Sequence, residues 1–70
     1  MDKVIFRDPS GSCTNNKLVH NSIYYTEPIL RNVDIFDENH NYVTRMDIND
    51  TNWRYFRPVD DDGKIIDCGY

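Results

Sequence analysis

Seventy residues with a formal net charge of −4 make one small domain, spanning residues 1–70. No run approaches the ~18 consecutive apolar residues of a membrane-spanning helix, and Ile, Val, Phe and Tyr recur too evenly for a disordered chain. A chain of this size buries only roughly 60 % of its unfolded surface, which argues against a deep, walled active site.

Seven Ile and five Val against two Leu and no Ala leave strand formers as nearly all of the hydrophobic mass. Ten Asp and eight Asn sit mostly between the apolar runs, where they favour turns. The expected class is mainly β.

In chain order, the first strand falls at Lys3–Arg7 and stops at Asp8-Pro9-Ser10-Gly11, whose residue types suit a type I turn. Ser12–Lys17 reads as loop. Leu18–Thr26 is a bent strand or two short ones, with a break expected at Pro28 because Pro restricts Glu27 before it. Ile29–Ile48 reads as a hairpin around Asp37-Glu38-Asn39-His40. A four-residue loop places Phe36 opposite Asn41, Ile35 opposite Tyr42 and Val33 opposite Thr44, which separates an apolar face from a polar one. After it, Asp50 is placed to cap a single helical turn that stacks Trp53 and Phe56, with a strand over Trp53–Val59 as the competing reading. Asp62-Gly63 predicts a final type I′ hairpin with Asp61 opposite Lys64, Val59 opposite Ile66 and Tyr55 opposite Tyr70. The whole is a single domain of five or six antiparallel strands, a hairpin meander or small open barrel, with one short helical turn near residues 50–56 as the variant.

Catalytic and metal chemistry find little purchase. Cys13, His20, His40 and Cys68 could supply four zinc ligands, but their spacings match no paired-ligand pattern. Asp60-Asp61-Asp62-Gly63 resembles a calcium loop, yet Pro58 and Gly69 fall where its first and last ligands belong. No base sits beside a nucleophile, and the three glycines form no phosphate cradle. No enzyme activity, metal or cofactor is expected. Lys3 is followed by only Val4-Ile5-Phe6 before Arg7 and Asp8, which is no signal-peptide pattern. A cytoplasmic location follows as the expectation, with Cys13 and Cys68 as free thiols and a single bridge closing a long loop as the alternative.

Binding is the better expectation. Trp53-Arg54-Tyr55-Phe56-Arg57 concentrates the residue types enriched at interface hot spots, with core packing and stacking of single-stranded bases as the other readings of its aromatics. Residues 1–32 carry a net +1 and residues 33–70 a net −5, so the acidic tips Asp37-Glu38 and Asp60-Asp61-Asp62 would steer a basic partner. The expected binding set is therefore Trp53, Arg54, Tyr55, Arg57, Asp37, Glu38, Asp60, Asp61 and Asp62. The expected partner is a larger protein with a basic surface; if that surface normally holds nucleic acid, the chain would act as a competitive inhibitor. Its Ala-free, Ile-, Asn- and Tyr-rich composition fits an AT-rich coding sequence, as in a bacteriophage or mobile element, with the host cytoplasm as its location. The acidic balance disfavours direct nucleic-acid binding, and no membrane partner is expected. The alternative is a self-associating subunit, with Arg31, Arg45, Arg54 and Arg57 lining an anion or nucleotide pocket between copies.

Overall fold

The β-branched runs become strands of a single antiparallel sheet in the computed structural model, which describes residues 1–66. The strands are β1 (Asp2–Phe6), β2 (Ser22–Ile29), β3 (Asn32–Asp37), β4 (Tyr42–Asp47) and β5 (Phe56–Pro58), in the spatial order β4-β3-β2-β1-β5. The first four form a meander. β5 departs from it, reaching the far side of β1 by way of a 3-10 turn at Thr51–Tyr55. The sheet stays open, so the meander forms and the barrel does not.

Alternation along each strand decides what is buried. The register places Val4, Phe6, Tyr24, Thr26, Val33, Ile35, Thr44, Met46 and Phe56 on one face. Phe6, Tyr24, Ile35, Met46 and Phe56 form the core there with Leu18 from the β1–β2 loop, and Cys13, Trp53 and Tyr55 pack against it. Phe6 and Phe56 are direct cross-strand partners with ring centroids 5.0 Å apart. Burying each such side chain contributes about 1.5–3 kcal/mol, so this one face supplies most of the domain's stability.

The turns depart from expectation in instructive ways. β2 runs through Pro28 to Ile29, where a break was expected. Pro28 pairs with Val33 on one side, while β1 begins opposite Thr26 on the other. Its missing N–H therefore costs no ladder bond, the arrangement in which a strand tolerates proline. Ile29 belongs to β2, and a two-residue turn at Leu30-Arg31 makes an additional hairpin. Val33 stands opposite Met46 and Ile35 opposite Thr44, two residues from the expected register. A bulge between the Ile35 and Phe36 pairs, which adds Val43 to β4, supplies one of the two, and a loop one residue longer, with Phe36 opposite Tyr42, supplies the other. The shift keeps Val33, Ile35, Thr44 and Met46 on their expected face, but beyond the bulge it is a single residue and carries Tyr42 to the opposite face. At the last turn the shift is a single residue: Val59 meets Ile65, not Ile66. The turn spans Asp60–Gly63, with the Gly63 N–H donating to the Asp60 carbonyl at 3.0 Å and only Gly63 at positive φ. A type I′ turn would need two such residues. The expected Tyr55–Tyr70 pairing and Cys68 lie outside the described residues; Cys13 is a free thiol.

A loop over residues 7–21 would be a liability without internal bonds. Asp8 organises it. Its buried carboxylate accepts from the Cys13 N–H at 2.8 Å, the Ser12 N–H at 3.0 Å and the Ser10 hydroxyl at 3.3 Å. The Asp8 N–H donates to His20 Nδ1 at 2.9 Å, and the Val19 N–H donates to the Tyr24 hydroxyl at 2.8 Å. Asn52 on the 3-10 turn donates to Thr14 Oγ1 at 2.9 Å, tying the loop to the chain that crosses the same face.

These bonds make a pH prediction. Burial raises the Asp8 carboxyl, but the Cys13 and Ser12 N–H groups, the Ser10 hydroxyl and His20 together hold it below the usual range. The hydrogen bond from Arg45 does the same for Asp34, again against burial. Both carboxyls therefore take up protons more readily in the unfolded chain than in the folded one. Their contribution is complete above the unfolded value of about 4 and is lost as the pH falls through the lowered folded values. Thermal melts between pH 7 and pH 2 should show a midpoint that drops below pH 4. In Asp8→Asn the drop should be smaller.

Candidate functional site

The residue that anchors the site is placed by a cap. Asp50 is extended, at φ −61 and ψ 133, and its carboxylate accepts from the Asn52 N–H at 2.8 Å. The chain then turns once, bringing Trp53 against Phe56 with centroids 5.1 Å apart. This is the helical reading of the segment; a strand would have put those rings on opposite faces. The Trp53 indole N–H donates to the Asp47 carbonyl at 2.8 Å, locking the ring over the end of β4.

Beside Trp53 the core face stays partly open. A groove of about 490 Å³ runs from the 3-10 turn toward the end of the sheet where β1 begins. Trp53, Phe56, Pro58 and Val59 line it on the β5 side, with Ile48 and Ile66 also along it. The last two are 49 % and 46 % exposed, so a partner would gain apolar contact at both. Charged groups border it. Asp2, Lys3 and Arg57 are part of the lining, and the Lys3 ammonium donates to the Asp61 carbonyl at 3.2 Å. That bond holds the Asp60–Asp62 turn next to the groove.

The expected binding residues thus divide. Trp53, Arg57 and the Asp60–Asp62 turn come together. Asp37 and Glu38 do not, because the β3–β4 tip lies at the opposite end of the sheet, where Asp37 pairs with Tyr24. The five steps from Tyr24 to Ile29 separate those ends by roughly 17 Å, beyond the Debye length of about 8 Å in physiological salt. Asp37 is also committed to its own turn, accepting from the Asn39 and Asn41 N–H groups at 2.9 Å each. Asp60 has the same task, accepting from Asp62 at 3.0 Å and Lys64 at 2.9 Å. Of the acidic turn, the exposed carboxylates left beside the groove are those of Asp61 and Asp62, with Asp2 in the lining itself.

The arginines do not gather into an anion pocket within one copy. Arg54 lies 4.9 Å over the Tyr55 ring and donates to its hydroxyl at 2.8 Å. Tyr55 in turn packs edge-on to Phe6, so both support the core. Arg57 donates to the Arg54 and Phe56 carbonyls at 2.6 and 2.9 Å. Arg45 is paired with Asp34 on β4, and Arg31 sits in the β2–β3 turn. The candidate metal ligands are scattered too: His20 bonds Asp8, His40 lies on Tyr25, and Cys13 packs beside the core.

No family model, curated protein or solved structure matches the chain. The site is therefore read from its own geometry. Asp2, Lys3, Ile48, Val59 and Ile66 were absent from the expected set. Ile48 and Ile66 left a usable trace in the sequence, as large apolar residues at the outer ends of predicted strands.

Proposed function

We propose that the chain is a small protein-binding module whose groove receives an apolar side chain from a basic segment of a larger partner. The observation that carries this reading is the apolar groove beside Trp53, with the Asp60–Asp62 turn held at its edge by Lys3. An aromatic floor supplies buried contact area, and the adjacent carboxylates favour Lys or Arg flanking the inserted residue. Where that segment belongs to a nucleic-acid-binding surface, occupancy excludes the nucleic acid, and the module acts as an inhibitor of the kind a bacteriophage or mobile element would encode.

Trp53 is the only tryptophan, so its emission reports on the groove directly. Titration with a short peptide alternating Lys or Arg with Leu should shift that emission and saturate. A peptide of equal apolar content bearing Glu should leave it unchanged. Asp61→Ser with Asp62→Ser should weaken binding severalfold and flatten its salt dependence; Asp60 is kept because it builds the turn. If both peptides behave alike, or the double variant binds as before, the reading fails. Light scattering supplies a further check: a stable dimer whose dissociation shifts Trp53 emission would mean that a second copy fills the groove.

A further inference from the structure

Among the described residues, Leu30 is the most exposed large apolar side chain, at 93 %. It holds the first central position of the two-residue β2–β3 turn at φ +56, a place that such turns give to Gly. A bulky residue kept in the left-handed region is strained, and strain of this kind gathers where a ligand or partner is held. Nothing within one copy offsets it, because the pairing of Ile29 with Asn32 fixes the turn at the hairpin end with Leu30 in solvent. Arg31, the next residue, is exposed as well.

This tip carries the chemistry that the Trp53 groove accepts, an apolar side chain with a cation beside it. It also adjoins the groove. Pro28 and Val33 line the groove and stand two positions from Leu30 and Arg31, roughly 7 Å along the strands. The Ile48 N–H, from another lining residue, donates to the Arg31 carbonyl at 2.8 Å. Leu30 therefore lies just beyond one end of its own groove and, held by its hairpin, cannot enter it. A second copy related by a two-fold axis can insert its tip while receiving this one, so that each contact is made twice.

Charge favours the exchange. Around the groove stand Asp2, Asp47, Asp50 and the Asp60–Asp62 turn, against Lys3, Arg57, Lys64 and the chain's own Arg31, an excess of acids. The Lys3 ammonium and the Arg57 guanidinium are turned onto the carbonyls of Asp61, Arg54 and Phe56, whereas Asp2, Asp61 and Asp62 are exposed.

We propose that the groove is masked by a second copy of this chain, whose Leu30 enters beside Trp53 while its Arg31 faces Asp2, Asp61 and Asp62. The masking rests on the groove's role as receptor for an apolar side chain in a basic segment, and it regulates that role. A two-residue tip is far smaller than the interfaces of about 1,200–2,000 Å² that make stable complexes, so the pairing is weak and a basic partner displaces it. The apparent affinity for that partner then falls as the chain is concentrated, in proportion to the fraction of grooves left open.

The test follows the full chain by sedimentation velocity and Trp53 emission over a dilution series. The mass should rise from monomer toward dimer with concentration, the emission should move along the same curve, and the alternating Lys–Leu peptide should return the mass to that of a monomer. Leu30→Gly should weaken self-association by about tenfold or more, because two anchors are lost per dimer, and should still bind the peptide. Its melting temperature at high dilution should not fall, so the lost pairing cannot be ascribed to unfolding. Arg31→Glu should weaken pairing too. Mixing it with a copy carrying Asp61→Lys and Asp62→Lys should restore it, because both exchanged contacts then join opposite charges. A chain that stays monomeric at every concentration overturns the proposal, as does a dimer that Leu30→Gly leaves intact, that leaves Trp53 emission unmoved or that the peptide cannot displace. The groove is judged separately: a Leu30→Gly monomer that binds the basic peptide keeps its reading even then, and one that does not takes both down.

Discussion

Replacing Phe6 by Ala is expected to remove a large share of the domain's stability. Phe6 is 2 % exposed, packs against Phe56 and meets Tyr55 edge-on, joining β1 to β5 and to the 3-10 turn. Truncating a buried Phe costs about 3–5 kcal/mol. A seventy-residue domain has a total stability of roughly 3.5–10 kcal/mol, so that loss is a large share of it. Urea titration followed by circular dichroism measures the difference directly. Phe6→Leu keeps most of the volume and should cost less than about 1.5 kcal/mol. A Phe6→Ala variant that melts like the parent would show that the loop over residues 7–21 refills the space.

The opposite sign is expected at Leu30. This residue is 93 % exposed and holds φ at +56, in the first central position of the β2–β3 turn. A left-handed backbone costs an L-residue with a bulky side chain about 1–2 kcal/mol, and Gly adopts it freely. The leucine side chain returns little of that cost, being almost wholly in water. Leu30→Gly should therefore stabilise the domain by about 1 kcal/mol, after its larger unfolded-state entropy is subtracted. In a domain of this size that raises the melting temperature by roughly 4–8 °C. Leu30→Ala, which keeps the Cβ, should give a much smaller gain.

Leu30 also shows where sequence reading stopped. A two-residue turn is recognised by Gly, Asn or Asp, and Leu30-Arg31 has none of them, so Ile29 was assigned to the wrong strand. The class, the β1 strand, the Asp8 turn and the Asp50 cap were legible because each depends on residues close in sequence. The faces of β3 and of Thr44 and Met46 were legible from alternation alone, but the longer loop and the Val43 bulge moved the register and carried Tyr42 to the other face. At the Asp60–Gly63 turn the dipeptide identified the turn but not its type, and one residue of slip followed. Within the site, Trp53 and the acidic turn stood out by residue type. Their neighbours Asp2, Ile48 and Ile66 come from distant parts of the chain, and only β5 crossing to β1 assembles them.

That crossing has a kinetic meaning. β1 through β4 are joined as successive neighbours, whereas β5 must find a strand more than fifty residues away, pairing Val4 with Pro58. Closing so long a loop adds an entropic cost that hairpins avoid, and it places the β1–β5 contact late in folding. With three residues ending in proline, β5 is also expected to be the first strand to detach in native-state fluctuations. Amides in β3 should exchange with solvent only on global unfolding, those of β5 by a smaller, cheaper opening. Because Trp53, Pro58 and Val59 stand along the Trp53 groove, each such opening dismantles it, and an occupant there would slow hydrogen exchange in β5 most of all.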